Sequence, residues 1–92
     1  MAHTTFEVVK KLNEIATARG CTLEQVAVSL ERGEASVIFY SDRAETYQAH
    51  SYAFFCDEAL RDHTHWGAYD LDLDGARRVW TEKARGFMQG WR

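Results

Sequence analysis

The sequence predicts a single α+β domain, residues 1–92, in which an N-terminal and a C-terminal helix cover an antiparallel sheet of three or four strands. Two observations carry the fold class: apolar residues recur with a helical period at both ends of the chain, and with a period of two between them. The composition agrees, because 92 residues with 46% hydrophobic and 27% charged side chains have the ordinary balance of one globular domain.

The first helix is predicted over residues 5–19. Thr4 can cap it, Glu7 completes a capping box three residues later, and Gly20 stands where the helix should end. One face of this helix is apolar at three- and four-residue spacing, and therefore needs a packing partner: Val8, Val9, Leu12, Ile15 and Ala16.

The packing partner of this helix is predicted to be a sheet, because from Leu23 onward the apolar residues recur with a period of two. The residues expected to point in one direction are Val26, Val28 and Leu30. Residues 31–34, with Arg32-Gly33, supply a turn, and SVIFY at 36–40 is the return strand of a hairpin. A polar loop follows over residues 41–45.

The segment TYQAHSYAFF at 46–55 is interpreted as a third strand from its aromatic content, the alternative being a helix that runs on through residue 62. A short helical turn is expected at 56–63 and a loop at 63–67. An edge strand should follow, in which the apolar residues Tyr69, Leu71 and Leu73 alternate with Asp70 and Asp72.

The last helix is predicted to begin after Asp74, which can cap it. Its apolar stripe is wide and at helical spacing, as expected of a helix that packs on a core: Ala76, Val79, Trp80, Ala84, Phe87, Met88 and Trp91.

The segment DLDLDG at 70–75 has the spacing with which a calcium loop begins. The twelfth position of such a loop would be Thr81 instead of the closing glutamate, and the eighth would be Arg77 instead of an aliphatic residue. An edge strand that runs into an aspartate-capped helix explains the same residues, so we predict no calcium site.

A second metal candidate combines Cys56, His63 and His65, with Cys21 or His50 as a further ligand. The spacing C-x6-H-x-H matches no standard zinc finger, and a polar loop that carries two exposed imidazoles explains it equally. No cofactor is therefore predicted.

Signatures of catalysis are missing from the sequence, which has no G-x-S-x-G, no glycine-rich phosphate loop and no H-E-x-x-H. We therefore expect a protein that is not an enzyme and has no small-molecule substrate. No apolar run approaches the length of a membrane span, and MAHTTFEVVKK has no signal-peptide core, so no membrane partner is expected. Two cysteines favour a reducing compartment, the cytoplasm.

Charge is divided along the chain. Residues 1–74 carry a net charge of −7 and residues 75–92 carry +4, which together give the overall −3. Arg78, Arg85 and Arg92 are seven residues apart and share one side of the last helix, with Arg77 and Lys83 flanking them. This stripe could meet phosphates or acidic side chains, or could be a solvated outer face, and the acidic remainder argues against a general DNA-binding protein.

From MAHTTFEVVKKLNEIATARG through RVWTEKARGFMQGWR, the chain resembles over its whole length the small phage-encoded anti-CRISPR proteins of the type I-F group. This resemblance implies a non-catalytic inhibitor that serves evasion of host defence in the bacterial cytoplasm. Such an inhibitor binds the crRNA-guided surveillance complex, called Cascade or Csy, and prevents target DNA from hybridising.

Two sets of residues are candidates for this binding, because surveillance complexes hold nucleic acid in lysine- and arginine-lined channels. The acids expected to engage Cas subunits are Asp57, Glu58, Asp62, Asp70 and Asp72. The bases expected to contact the crRNA backbone or acidic protein side chains are Arg77, Arg78, Lys83, Arg85 and Arg92. The alternative function is that of a small phage regulator or antitoxin-like interaction module.

Overall fold

The computed structural model describes residues 3–55, 59–62 and 64–89, and for residues 65, 66 and 87–89 the backbone alone. The strands form one antiparallel sheet in the order β1-β2-β3-β4, with a helix before and a helix after it in the chain. The predicted α+β fold is therefore confirmed, and of the predicted three or four strands the sheet has four. The elements are α1 (Thr5–Ala18), β1 (Cys21–Ser29), β2 (Glu34–Ser41), β3 (Thr46–Ala53), β4 (Thr64–Leu71) and α2 (Leu73–Gln89).

Helix α1 begins with the predicted capping box. The Glu7 amide donates to Thr4 Oγ1 at 3.1 Å, and the Thr4 amide donates to Glu7 Oε1 at 2.8 Å. Gly20, with φ of +73°, turns the chain directly into β1. Four of the predicted apolar residues are buried, namely Val8, Leu12, Ile15 and Ala16.

The two helices cover opposite faces of the sheet. On β2, Ala35, Val37 and Phe39 belong to the core cluster that includes α1. The alternate residue Ile38 is also fully buried, on the face where α2 packs against β2, β3 and β4. Trp80 ties α2 to this face, because its indole Nε1 donates to the Ser36 carbonyl at 2.9 Å.

A β-bulge between Leu23 and Gln25 shifts the register of β1 against β2. The extra residue lets Leu23 and Val26 both pack on the α1 side of the sheet. Leu30, predicted to share a face with Val26 and Val28, lies instead in the turn after β1 and is 46% exposed. That prediction was wrong because β1 ends at Ser29, before Leu30 can enter the ladder.

The third strand is confirmed for residues 46–53, and the alternative of a helix there is wrong. The predicted helical turn at 56–63 is wrong at residues 59–62, which are not helical, while residues 56–58 and 63 lie outside the described part of the chain. This connection contributes Leu60 to the core, and the Tyr52 hydroxyl donates to the Arg61 carbonyl at 2.9 Å. Burial of Leu60 therefore replaces helix formation here.

The boundary between β4 and α2 also differs from the prediction. Strand β4 already begins at Thr64, so residues 64–67 are strand and not loop, and Leu73 belongs to α2. Asp72, not Asp74, caps α2, since its Oδ1 accepts from the Gly75 amide at 2.7 Å. Of the predicted stripe on α2, Ala76 is buried, Val79, Trp80 and Ala84 are half-buried, and the side chains of Phe87, Met88 and Trp91 are not described.

We expect Gly33→Ala to lower the free energy of unfolding by about 2–4 kcal/mol. Gly33 has φ of +68°, and a Cβ there would overlap with Phe55 Cβ and lie 2.9 Å from the Phe55 amide nitrogen. Gly20→Ala is the matched control, because Gly20 has a similar φ of +73° but open space around it, so it should cost only about 1 kcal/mol. Urea unfolding measures both, and equal losses would contradict the packing argument.

Candidate functional site

Carboxylates from three separate parts of the chain lie near the turn between β2 and β3, and those from two of these parts surround Tyr40. Glu45 and Asp42 come from that turn, and Glu24 comes from the bulge in β1. Asp70, at the end of β4, approaches the first residue of β3, with 3.5 Å between its Oδ1 and Thr46 Oγ1. We call Glu24, Asp42, Glu45 and Asp70 the acidic patch.

Local geometry explains how the turn presents its acids. The Glu45 amide donates to the Ser41 carbonyl at 2.8 Å, and the Ala44 amide donates to Ser41 Oγ at 3.3 Å. These bonds close the turn tightly and hold Asp42 and Glu45 exposed on a short loop. Arg43, also exposed, is the cation within this turn.

Two tyrosines lie at the centre of the acidic patch. Tyr40 and Tyr47 are paired across β2 and β3, with ring centroids 4.9 Å apart, and both are half-buried. Burial raises the pKa of the Tyr40 hydroxyl above its ordinary value, and the carboxylate of Glu45 raises this pKa further. A tyrosine hydroxyl is neutral at physiological pH even at its ordinary pKa, so Tyr40 can act as a hydrogen-bond donor among the acids.

The predicted acidic residues fall into different environments. Asp70 is exposed within the acidic patch, and Asp72, two residues later, is exposed but occupied in capping α2. Asp57 and Glu58 lie outside the described residues. Of the three predicted acids that the structure describes, Asp70 alone therefore belongs to the acidic patch.

Asp62 has partners within the chain. Arg19 Nη2 donates to its Oδ2 at 2.7 Å and to Thr64 Oγ1 at 2.6 Å, while the Thr64 hydroxyl donates to Asp62 Oδ1 at 2.8 Å. Burial acts to raise the pKa of Asp62, but the hydrogen bonds from Thr64 and Arg19 outweigh it and lower this pKa below the ordinary 3.8. The Asp62 carboxylate therefore serves to join the end of α1 to the start of β4.

The basic residues of α2 do not form one stripe. Arg78 and Arg85 are exposed on the side of α2 that faces away from the sheet, where the carboxylates of Asp74 and Glu82 alternate with them. Arg77 is also exposed, on the side of α2 next to that of Arg78 and Arg85, and Arg92 lies outside the described residues.

Lys83 departs from the predicted arrangement. It lines a crevice between α2 and the sheet, together with Arg32, Glu34 and Ser51. Arg32 itself bridges to α2, because its Nη1 donates to the Gly86 carbonyl at 2.8 Å. Lys83 was therefore wrongly expected to flank Arg78 and Arg85, since helical geometry places it on the opposite side of α2 from them.

Sequence reasoning missed Glu24, Asp42 and Glu45 as members of a common surface. The signal was indirect: the register of the β1–β2 hairpin pairs Thr22 with Tyr40, which brings the bulge residue Glu24 toward the β2–β3 turn. A turn placed at Arg32-Gly33 predicts approximately this register, but the bulge that presents Glu24 has no recognisable motif.

The metal candidates receive separate explanations. Asp72 of the DLDLDG segment is a helix cap, and His50 is buried with its ring against Phe39 and Tyr69 and its Nε2 3.0 Å from Gln48 Oε1. Cys56, His63 and the side chain of His65 lie outside what the structure describes. Among the described residues, no three side chains of histidine, cysteine, aspartate or glutamate are grouped so as to hold a metal ion.

Comparisons of the chain with protein-family models, with curated proteins and with solved structures give no match. Within the described part of the chain, neither helix has the length and apolarity needed to cross a membrane.

We expect Asp62→Asn to lower the free energy of unfolding by about 0.5–1 kcal/mol at pH 7, a value that allows for solvent screening of this partly exposed ion pair. Because the pKa of Asp62 is lower in the folded chain, its contribution is present above the unfolded value near 3.8 and disappears as the pH falls through the folded value. The difference between the two proteins in urea unfolding should therefore shrink in acid.

Arg19→Gln provides the control for the ion pair at Asp62. At pH 7, the double variant should lose less free energy of unfolding than the sum of the losses in the two single variants, because each substitution removes the same interaction. Full additivity would show that Asp62 and Arg19 are not coupled, and a loss for Asp62→Asn that is independent of pH would show that the Asp62 charge contributes nothing to folding.

Proposed function

We propose that this protein inhibits the type I-F CRISPR surveillance complex, Cascade or Csy, by binding its Cas subunits and blocking hybridisation of target DNA. The inhibition is stoichiometric and needs neither catalysis nor a cofactor, and it takes place in the cytoplasm of the host bacterium. The observation that carries the proposal is the acidic patch, which gathers carboxylates from three parts of the chain near the β2–β3 turn. The resemblance to type I-F anti-CRISPR proteins supplies the identity of the target.

Carboxylates suit this target because the complex must attract DNA phosphates to a channel lined by lysine and arginine. A carboxylate pairs with a guanidinium through two parallel hydrogen bonds, as a phosphate does. An acidic surface can therefore occupy the positions of successive phosphates and compete directly with the DNA backbone.

Rigidity of the acidic patch favours tight binding. Hydrogen bonds to Ser41 hold the turn that carries Asp42 and Glu45, and the adjacent strands hold Tyr40 against Tyr47. Because these groups are ordered before association, little conformational entropy is lost on binding. The tyrosine pair adds aromatic contact area, of the kind enriched at protein interfaces.

The outward side of α2 is the proposed second contact. Arg78 and Arg85 are exposed there, two helical turns apart, and their guanidinium groups suit either the crRNA backbone or acidic side chains of a Cas subunit. The alternating Asp74 and Glu82 limit the positive potential of this side, so we assign it a smaller share of the affinity than the acidic patch.

We expect the triple variant Glu24→Gln, Asp42→Asn, Glu45→Gln to block DNA binding less effectively. It should need a concentration about tenfold or more above that of the wild type, because each substitution removes one charge pair with the complex and so weakens binding. An electrophoretic shift of target DNA by purified complex, titrated with each protein, makes the measurement.

The matched control for the acidic patch is Glu14→Gln, Glu31→Gln, Glu34→Gln, which removes the same number of carboxylates outside both proposed contacts and should block like the wild type. Equal potency of the two triple variants would exclude the acidic patch as the contact. If the wild type leaves DNA binding undisturbed, the blocking step is refuted. A shift of duplex operator DNA by the protein alone would favour the alternative of a phage regulator.

Reversal of charge on α2, by Arg78→Glu with Arg85→Glu, should weaken binding to the purified complex by a smaller factor, about three- to tenfold. Lys10→Glu with Lys11→Glu on α1 is the control, with the same change in net charge. If biolayer interferometry shows unchanged affinity for the α2 variant, Arg78 and Arg85 are not part of the interface. This result would not bear on the acidic patch.

A further inference from the structure

The side of α1 that faces away from the sheet carries a shallow apolar groove. The residues that line this α1 groove include Phe6, Val9, Lys10, Asn13, Glu14 and Thr17. Helical geometry places them opposite the buried residues Val8, Leu12 and Ile15. Phe6 is 75% exposed, more than the other large apolar side chains that are exposed in the described part of the chain. Its removal from water would favour association, and so the α1 groove is a candidate interface.

Two opposite charges lie on one flank of the α1 groove. Lys10 and Glu14 are exposed and about one helical turn apart, and Val9 lies on the other flank. Glu14 also contacts Lys11 on the side away from the groove, with 3.7 Å between its Oε1 and Lys11 Nζ. Lys10, by contrast, makes no ion pair with any residue that the structure describes. The flank therefore presents a positive charge that can still be paired, followed by a negative one.

We propose that two copies of this chain bind each other through the α1 groove, with the two helices side by side and antiparallel, as a homodimer. The charges favour a second copy as the occupant. Reversal of the helix changes the order of the charges from positive then negative to negative then positive, so the flank is complementary to itself. The inference stands independently of the proposed inhibition, for which one copy of the chain suffices.

One register of the two helices satisfies both the apolar and the charged residues. In this register Phe6 of one copy lies level with Thr17 of the second copy. Lys10 then lies level with Asn13, and Glu14 of the second copy is only about 1.5 Å further along the helix axis. The twofold axis of an antiparallel pair brings the same flanks together, so each Lys10 meets the Glu14 of the other copy. The dimer therefore has two intermolecular ion pairs, with Phe6 packed over the short side chain of Thr17 at each end.

The length of α1 limits how strong the pairing can be. The helix has 14 residues and is about 21 Å long, so two copies bury less area than a standard protein interface does. Exposed ion pairs add little affinity of their own. The dimer should therefore be weak and should dissociate at the nanomolar concentrations at which inhibition can be assayed. Substitutions of Lys10, Lys11 and Glu14 thus remain valid controls for the proposed inhibition.

Sedimentation equilibrium of the full chain tests the pairing. The wild type should show a monomer–dimer equilibrium at concentrations up to about 1 mM, and Phe6→Asp should raise the dimer dissociation constant about tenfold or more, because it places a charge in the apolar contact. This variant should fold, since Phe6 is exposed and an aspartate is favourable in the first turn of a helix. Phe55→Asp, at a phenylalanine that is 67% exposed elsewhere, is the matched control and should dimerise like the wild type. A wild type that is monomeric throughout overturns the proposal, and so does a dimer that Phe6→Asp leaves equally tight or that both variants weaken equally.

Exchange of the two charges tests the antiparallel register by the same measurement. Lys10→Glu alone and Glu14→Lys alone should each weaken the dimer about three- to tenfold, because like charges then meet across the interface. The double variant, Lys10→Glu with Glu14→Lys, restores opposite charges between the copies and should dimerise within about twofold of the wild type. It has the net charge of the wild type, so general repulsion between copies cannot account for its behaviour. Rescue in the double variant supports the pairing, and a double variant as weak as the single ones would refute it.

Discussion

Burial of β2 on both of its faces is the constraint on which the rest of the fold depends. Residues 35–39 of this strand are each at most 1% exposed, although a sheet with one covered face would leave every second residue in water. Each large apolar side chain so buried contributes about 1.5–3 kcal/mol. Two helices on opposite sides of the sheet are therefore required. In the strand order β1-β2-β3-β4, the two edge strands are β1 and β4.

The regular parts of the fold could be predicted because they depend on local pattern. The capping box at Thr4, the apolar period of α1 and the turn at Gly33 each act within a few residues, and the strand over residues 46–53 follows from its composition. The start of α2 was misplaced because Asp72 and Asp74 are equally good caps, and tertiary context decided between them. Register shifts, which determine where β4 begins and how Glu24 is presented, depend on packing that no local motif encodes.

The candidate site shows the same limit, because carboxylates of one chemical type take different roles from their neighbours. Asp62 is held by Arg19 and Thr64, Asp72 by the amide of Gly75, and Asp70 is exposed. Arg78 and Arg85 were placed correctly by helical spacing, whereas Lys83 was not, although the same spacing puts it on the opposite side of α2. Spacing predicts neighbours within one element, and membership of a surface requires the tertiary fold.

Backbone strain in the acidic patch supports a role beyond stability. Glu45 and Asp70 both have φ of +57°, a conformation that costs a residue with a side chain about 1–2 kcal/mol and that glycine adopts freely. Glycine at either position would stabilise the turn or the strand end and remove a carboxylate. Residues kept in such a conformation concentrate at functional positions, where the side chain is needed more than the stability. The strain and the charge thus coincide in the acidic patch, the surface for which we propose binding to the surveillance complex.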